Sequence, residues 1–159
     1  MLKSVIVLLG LAVIASAGEW SDELKEDLPI MEKDTRDFEK EVKEFVVMYN
    51  DREKNDFNTY HNLRIKLNNI SYSKVNNKII EWKGIIYKKG YDRNLMSALD
   101  TISSRNLSIR QAAGHLLNDF WNRFLQRKTR KDSNDPHFNT LKDTTPFDFS
   151  HIRALVNDL

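Results

Sequence analysis

Three stretches of this chain repeat one apolar spacing, and that spacing restricts it to helices packed side by side. Phe38, Val42, Phe45 and Tyr49 form the first set, Val75, Ile79, Trp82 and Ile86 the second, and Ala113, Leu117, Phe120 and Phe124 the third. Steps of 4, 3 and 4 residues, at about 100° per residue, place each set in a narrow stripe on one face of an α-helix. A strand would need alternation, which is nearly absent. A shorter segment near 92–104 carries Leu95, Leu99 and Ile102 on one face, and a less regular one near 52–67 carries Phe57, Tyr60 and Leu67. The pattern predicts an all-α fold, a small bundle of about five to seven amphipathic helices.

Five glycines and three prolines leave few breaks. Thr35 is a candidate N-cap for the first helix, with Pro29 ending what precedes it. Ser71 caps the second and Gly90 ends it. Ser108, with Gln111 in the capping-box position, caps the third. Residues 128–146 read as a polar loop, since Arg127-Lys128-Thr129-Arg130-Lys131 runs into Asp132-Ser133-Asn134-Asp135-Pro136. Thr145-Pro146 then opens a last short helix with Ile152, Val156 and Leu159 on its apolar face. Phe147 and Phe149 should dock it on the body.

The start of the chain carries a compartment signal. Lys3 precedes an apolar run from Val5 to Ile14, and Ala15-Ser16-Ala17 supplies small residues for cleavage. This is the pattern of a signal peptide over 1–17, and the run is too short to span a ~30 Å hydrocarbon core. The expectation is a secreted, extracellular protein with one helical domain over 18–159 and no membrane span. The chain has no cysteine, so disulfides, on which small secreted domains often depend, are unavailable to it. Helix packing must hold it. The formal net charge is +2, and losing Lys3 with the leader leaves +1. That near-balance argues against a dedicated nucleic-acid binder.

Asn69-Ile70-Ser71 and Asn106-Leu107-Ser108 lie 37 residues apart, and the same shift places Ile65 on Ile102, Val75 on Ala112, Ile79 on Leu116 and Ile80 on Leu117. Two copies of a helix–turn–helix unit are expected from this. The run Asn106-Leu107-Ser108-Ile109-Arg110-Gln111, with Ser71 eleven residues before Trp82 and Ile65-Lys66-Leu67-Asn68 upstream, resembles the nematode SXP-like secreted antigen family over about residues 60–125. Trp82-Lys83-Gly84 lacks the alanine that follows the tryptophan in that family. The resemblance implies a secreted, helical, non-enzymatic and antigenic protein, with weak divalent-cation binding as in some members. It carries over no catalytic residue and no cation ligand.

Reactive constellations are scarce. His61, His115, His137 and His151 include no pair at i, i+4, and no nucleophile elbow or glycine-rich phosphate loop occurs. Glu39 and Glu41 read as ordinary helix charges. Two acidic clusters are candidates for weak Mg²⁺ or Ca²⁺ binding: Asp51, Glu53 and Asp56, and Asp132, Asn134 and Asp135. Both lack the glycine and the twelfth-position glutamate of tight calcium loops. Asn69 and Asn106 stand in N-glycosylation sequons, each just before a capping serine and hence in an exposed turn. The basic run of Arg123, Arg127, Lys128, Arg130 and Lys131 reads first as cations complementing a helix C-terminus, with a heparin-like glycan or anionic lipid as the functional alternative. Trp82, Phe120, Trp121 and Phe124 are the candidate residues for a small apolar ligand. The combined reading is a secreted, non-enzymatic helical binding or host-interaction protein with an extracellular protein or glycan as partner. The alternative is an extracellular carrier of lipid or another small apolar molecule.

Overall fold

The computed structural model describes residues 2–51, 56–70, 72–126 and 135–159, with side chains from Trp20 onward. Six helices make up the described residues, and there is no strand among them: α1 (Leu2–Asn50), α2 (Phe57–Asn69), α3 (Tyr72–Lys89), α4 (Arg93–Leu125), α5 (Pro136–Lys142) and α6 (Ser150–Asn157). The protein is an all-α bundle, as the spacing of its apolar residues predicts.

The apolar spacing reaches further than its three seeds. In α1, Leu24, Leu28, Met31, Thr35, Phe38, Val42, Phe45 and Tyr49 are all buried, in unbroken steps of four and three. In α4, Leu95, Leu99, Ile102, Asn106, Ile109, Ala113, Leu116 and Phe120 do the same. A strict seven-residue repeat keeps one seam facing the neighbours along the whole of each helix. In α3, Val75, Ile79, Trp82 and Ile86 are buried together. The helices α2, α3, α5 and α6 each pack on both α1 and α4. The two long helices therefore occupy opposite corners of a four-cornered bundle. The end-to-end pair α2 and α3 fills one remaining corner, and α5 and α6 fill the other.

Several boundaries differ from those that the local signals suggest. Pro29 lies inside α1 rather than before it. Its ring is exposed, so the carbonyl of Lys25 that loses its helical partner also faces water, which limits the cost. Thr35 caps nothing: it is fully buried and its Oγ1 donates to the Met31 carbonyl at 2.8 Å. Ser108 and Gln111 are exposed positions in the middle of α4, which runs unbroken through them. A break there would throw Ile102 and Ile109 out of phase, and that burial outweighs a capping box. The 37-residue shift therefore sets two separate helices, α2 and α3, against one continuous helix, and Ile65 and Ile80 are exposed where Ile102 and Leu117 are buried. The two segments share a spacing, not a helix–turn–helix unit. The caps that do form are aspartates: Asp56 accepts from Thr59 N at 2.7 Å, Asp92 from Leu95 N at 2.8 Å and Asp135 from His137 N at 2.9 Å. The polar loop expected over 128–146 contains α5, with Pro136 at its first position, and Thr145-Pro146 precedes the last helix without joining it. Ser71 lies outside the described residues.

At one end of the bundle, Trp20 closes over the turn between α3 and α4. Gly90 follows α3 and donates to the Ile86 carbonyl at 3.1 Å. A Cβ at Gly90 would meet the Trp20 ring at 2.5 Å. Glycine is required here by close approach, and Trp20 is too buried, at 6 % exposure, to step aside freely. Gly90→Ala should cost about 1–3 kcal/mol in chemical denaturation, the ordinary range for overpacking. A shifted tryptophan emission in the folded baseline would locate the strain at Trp20, and an unchanged midpoint would show that the turn opens without resistance.

Candidate functional site

Six aromatic side chains meet where the start of α2 crosses the end of α4. The Asp56 cap fixes the first turn of α2, and Phe57 and Tyr60, with His61 beside Phe57, then meet α4, where Phe120, Trp121 and Phe124 lie within two turns of its end. Tyr60 and Trp121 have ring centroids 4.5 Å apart, and Trp121 and Phe124 5.2 Å. Phe57 stands edge-on to Trp121 at 6.4 Å and stacks on His61 at 6.0 Å. Tyr60 stacks on Phe120 at 6.4 Å, with planes 13° apart. Phe120 roots the cluster in the core, while Trp121 and Phe124 are half-buried and Phe57 is 54 % exposed. Leu125, 60 % exposed, extends the apolar surface. Core packing does not need this much open aromatic surface, and contiguous patches of this kind mark contact sites.

The patch is edged with cations. Arg64 is exposed one turn beyond Tyr60 and His61. Arg123 lies between Trp121 and Phe124 in sequence, and its Nε donates to Asp119 at 2.9 Å. From Gln126 the chain continues into Arg127, Lys128, Arg130 and Lys131, which lie outside the described residues.

The four candidates for an apolar ligand are divided by the fold. Phe120, Trp121 and Phe124 belong to this cluster. Trp82 does not: it is sealed in the core on α3, with its Nε1 donating to Asp27 Oδ2 at 3.4 Å. Elsewhere, an open groove of about 360 Å³ runs between Val46, Val47 and Asn50 on α1 and Phe138 and Lys142 on α5. Asp51 also lines it.

The acidic clusters are put to other uses where they can be followed. Asp51 is exposed just past α1, the Asp56 carboxylate caps α2, and the buried Asp135 caps α5. Glu53, Asp132 and Asn134 lie outside the described residues. Among the described residues no group of three or more His, Asp or Glu side chains is placed to hold a metal ion.

The two sequons are not equivalent. Asn69 is exposed as the last residue of α2, and the Ser71 of its sequon lies outside the described residues. Asn106 is not in a turn. It is 1 % exposed within α4, its Oδ1 accepts from Arg105 Nη1 at 2.9 Å and its Nδ2 is buried without a partner among the described residues. The uninterrupted repeat of α4 puts it on the buried seam. A glycan there has no room in this fold. Peptide mapping of chain produced in a glycosylating host should find Asn106 unmodified whether or not Asn69 carries sugar, and an occupied Asn106 in folded material would contradict its burial.

Glu39 was legible only as a surface charge and is instead 4 % exposed. Its Oε2 pairs with Arg36 at 2.8 Å, and its Oε1 with Arg105 at 2.9 Å. Oε1 also accepts from Phe147 N at 2.7 Å. Both guanidiniums reach on to the segment between α5 and α6, Arg36 to the Phe147 carbonyl at 2.7 Å and Arg105 to that of Thr145. Arg36 lies over the Phe149 ring and Arg105 over Phe147, at 5.8 and 5.6 Å. With both oxygens of the carboxylate engaged inside the bundle, this is a clamp between α1, α4 and the C-terminal segment. At its far side the Asp148 carboxyl is held below its ordinary range, chiefly by the Ser150 backbone N–H at 2.9 Å.

Compared with known proteins, the chain matches no family model, no curated protein and no solved structure.

Proposed function

We propose that this chain is a secreted, non-enzymatic binding protein that takes a sulfated extracellular glycan on the aromatic face between α2 and α4. The observation that carries the reading is the open cluster of Phe57, Tyr60, Trp121 and Phe124, rooted on Phe120 and edged by Arg64 and Arg123. Sugar rings present apolar C–H faces that stack on aromatic planes, and sulfates pair with guanidiniums. The basic residues that follow Gln126 in sequence add charge of the right sign. The leader-like residues 1–17 support secretion, and N-terminal sequencing of exported chain should begin near Gly18. The carrier alternative is less well supported, because Trp82 is withdrawn from the other three aromatic candidates and the groove beside α5 is open and partly charged. Weak Mg²⁺ or Ca²⁺ binding, implied by the family resemblance, would have to draw on Asp56 and Asp135, which already cap helices, or on Asp51 with neighbours outside the described residues.

Binding to heparin fragments, followed by tryptophan fluorescence, tests the proposal. Trp121→Ala and Phe57→Ala should each weaken binding about tenfold, or about 1.4 kcal/mol, while Tyr87→Ala, a 73 % exposed ring on α3, should leave it unchanged. Desulfated fragments should bind less. Equal affinity across all these variants would remove the aromatic face as the binding site.

A further inference from the structure

The face where α4 meets α5 holds a second constellation, unrelated to the aromatic cluster. His115 on α4 and His137 on α5 lie with ring centroids 4.6 Å apart and planes 17° from parallel. Their backbones are fixed independently. His115 follows the buried pair Ala112 and Ala113, and His137 is held by its N–H to Asp135 at 2.9 Å and by the burial of Phe138 and Leu141 on the same short helix. Both imidazoles are exposed and share a depression of about 150 Å³ with Ser108, Gln111 and Thr140.

We propose that His115 and His137 together form a binding site for a borderline divalent cation of the zinc and copper class. Two imidazoles on a tetrahedral ion at Zn–N distances of about 2.0–2.1 Å place their nitrogens a little over 3 Å apart. The two rings stack at 4.6 Å, so each must turn about its side-chain torsions until one nitrogen lone pair of each converges on the ion, and their exposure leaves them room for that turn. The chain supplies two nitrogen ligands. Water fills the remaining positions, with the Gln111 amide oxygen and Ser108 hydroxyl in the same depression available to accept its protons. Imidazole donors select zinc, copper or nickel over magnesium and calcium, so this site is distinct in chemistry from the acidic clusters. A bound ion would tie α4 to α5 and stabilise the bundle in proportion to its occupancy, and acid would release it, because only neutral imidazole ligates. The inference does not depend on the glycan reading, since none of its residues belongs to the aromatic face.

Titration with zinc chloride, in buffer free of chelator, is the test. One equivalent should bind with saturation, shift the imidazole proton resonances of His115 and His137, leave those of His61 and His151 in place, and raise the melting temperature. His115→Ala and His137→Ala should each weaken binding at least tenfold, with unchanged circular dichroism, and millimolar magnesium should not compete. No saturation at millimolar zinc, or binding that survives both substitutions, would overturn the proposal. Should either variant fold poorly, the resonances of the unaltered protein still decide: shifts at His61 or His151 in place of the pair place the ion elsewhere.

Discussion

Trp82→Ala is expected to lower the stability of the bundle by about 3–5 kcal/mol, the range for emptying a large aromatic site in a core that relaxes only in part. Trp82 is fully buried at the middle of the α3 stripe, between Ile79 and Ile86, in a helix that packs on both α1 and α4. The void would thus open between three helices at once, and none can move in without leaving another. The lost hydrogen bond contributes little. Asp27, which accepts from the indole at 3.4 Å, keeps Lys78 at 3.1 Å, and the Lys78 ammonium is held above its ordinary range by Glu81 and then by Asp27. Trp82→Phe should therefore recover much of the loss. Equilibrium denaturation measures both, and an unchanged slope would keep the comparison two-state. A loss under about 1 kcal/mol would mean that the ring does not fill the core. Well below its melting temperature, the alanine variant should bind glycan normally, because Trp82 lies outside the aromatic face.

What the sequence showed best was periodic. Steps of four and three seeded at Phe38–Tyr49 and Val75–Ile86 mark helices that exist with those residues buried, whereas the aspartates that cap α2, α4 and α5 are outranked in the local signals by threonine and serine. What it hid was the competition between periodic and local signals. Thr35, Ser108 and Pro29 each carry the chemistry of a boundary, yet each lies within a helix whose buried seam continues on both sides, and continuous burial of eight positions in α1 and in α4 outweighs one cap or one missing backbone bond. Asn106 was misplaced for the same reason: a polar residue followed by Ser looks like a turn unless the steps from Ile102 to Ile109 are counted across it. The aromatic face was half legible. Phe120, Trp121 and Phe124 share one helix end, but Phe57 and Tyr60 arrive from α2, and only the crossing of the two helices reveals them as one surface. Pairings between distant segments left no local trace at all. Nothing near Glu39 announces Arg105, and nothing near His115 announces His137.

Glu39→Ala should be the second severe loss, and its effect should be localised. Breaking a buried ion pair by removing one partner costs about 3–5 kcal/mol, because the remaining charge stays desolvated. Here the two partners differ. The Arg105 side chain is 22 % exposed and would be stranded, whereas that of Arg36 is 46 % exposed and can turn to water, so the lower end of the range is expected. Glu39→Gln keeps an oxygen for Phe147 N but turns an amide N–H₂ toward a guanidinium, and should cost about 1.5–3 kcal/mol, as for hydrogen bonds to charged groups. The damage should show first between Asp143 and Ser150, a stretch without helix that is held to α1 and α4 through Glu39, Arg36 and Arg105. Hydrogen exchange at the Phe147 amide, which loses its acceptor, should rise sharply in Glu39→Ala while amides in the middle of α3 stay protected, and limited proteolysis should cut within the same stretch. Equal exchange at Phe147 in both chains would mean that Phe149, Ile152 and Val156, all buried, suffice to dock the C-terminal segment without the clamp.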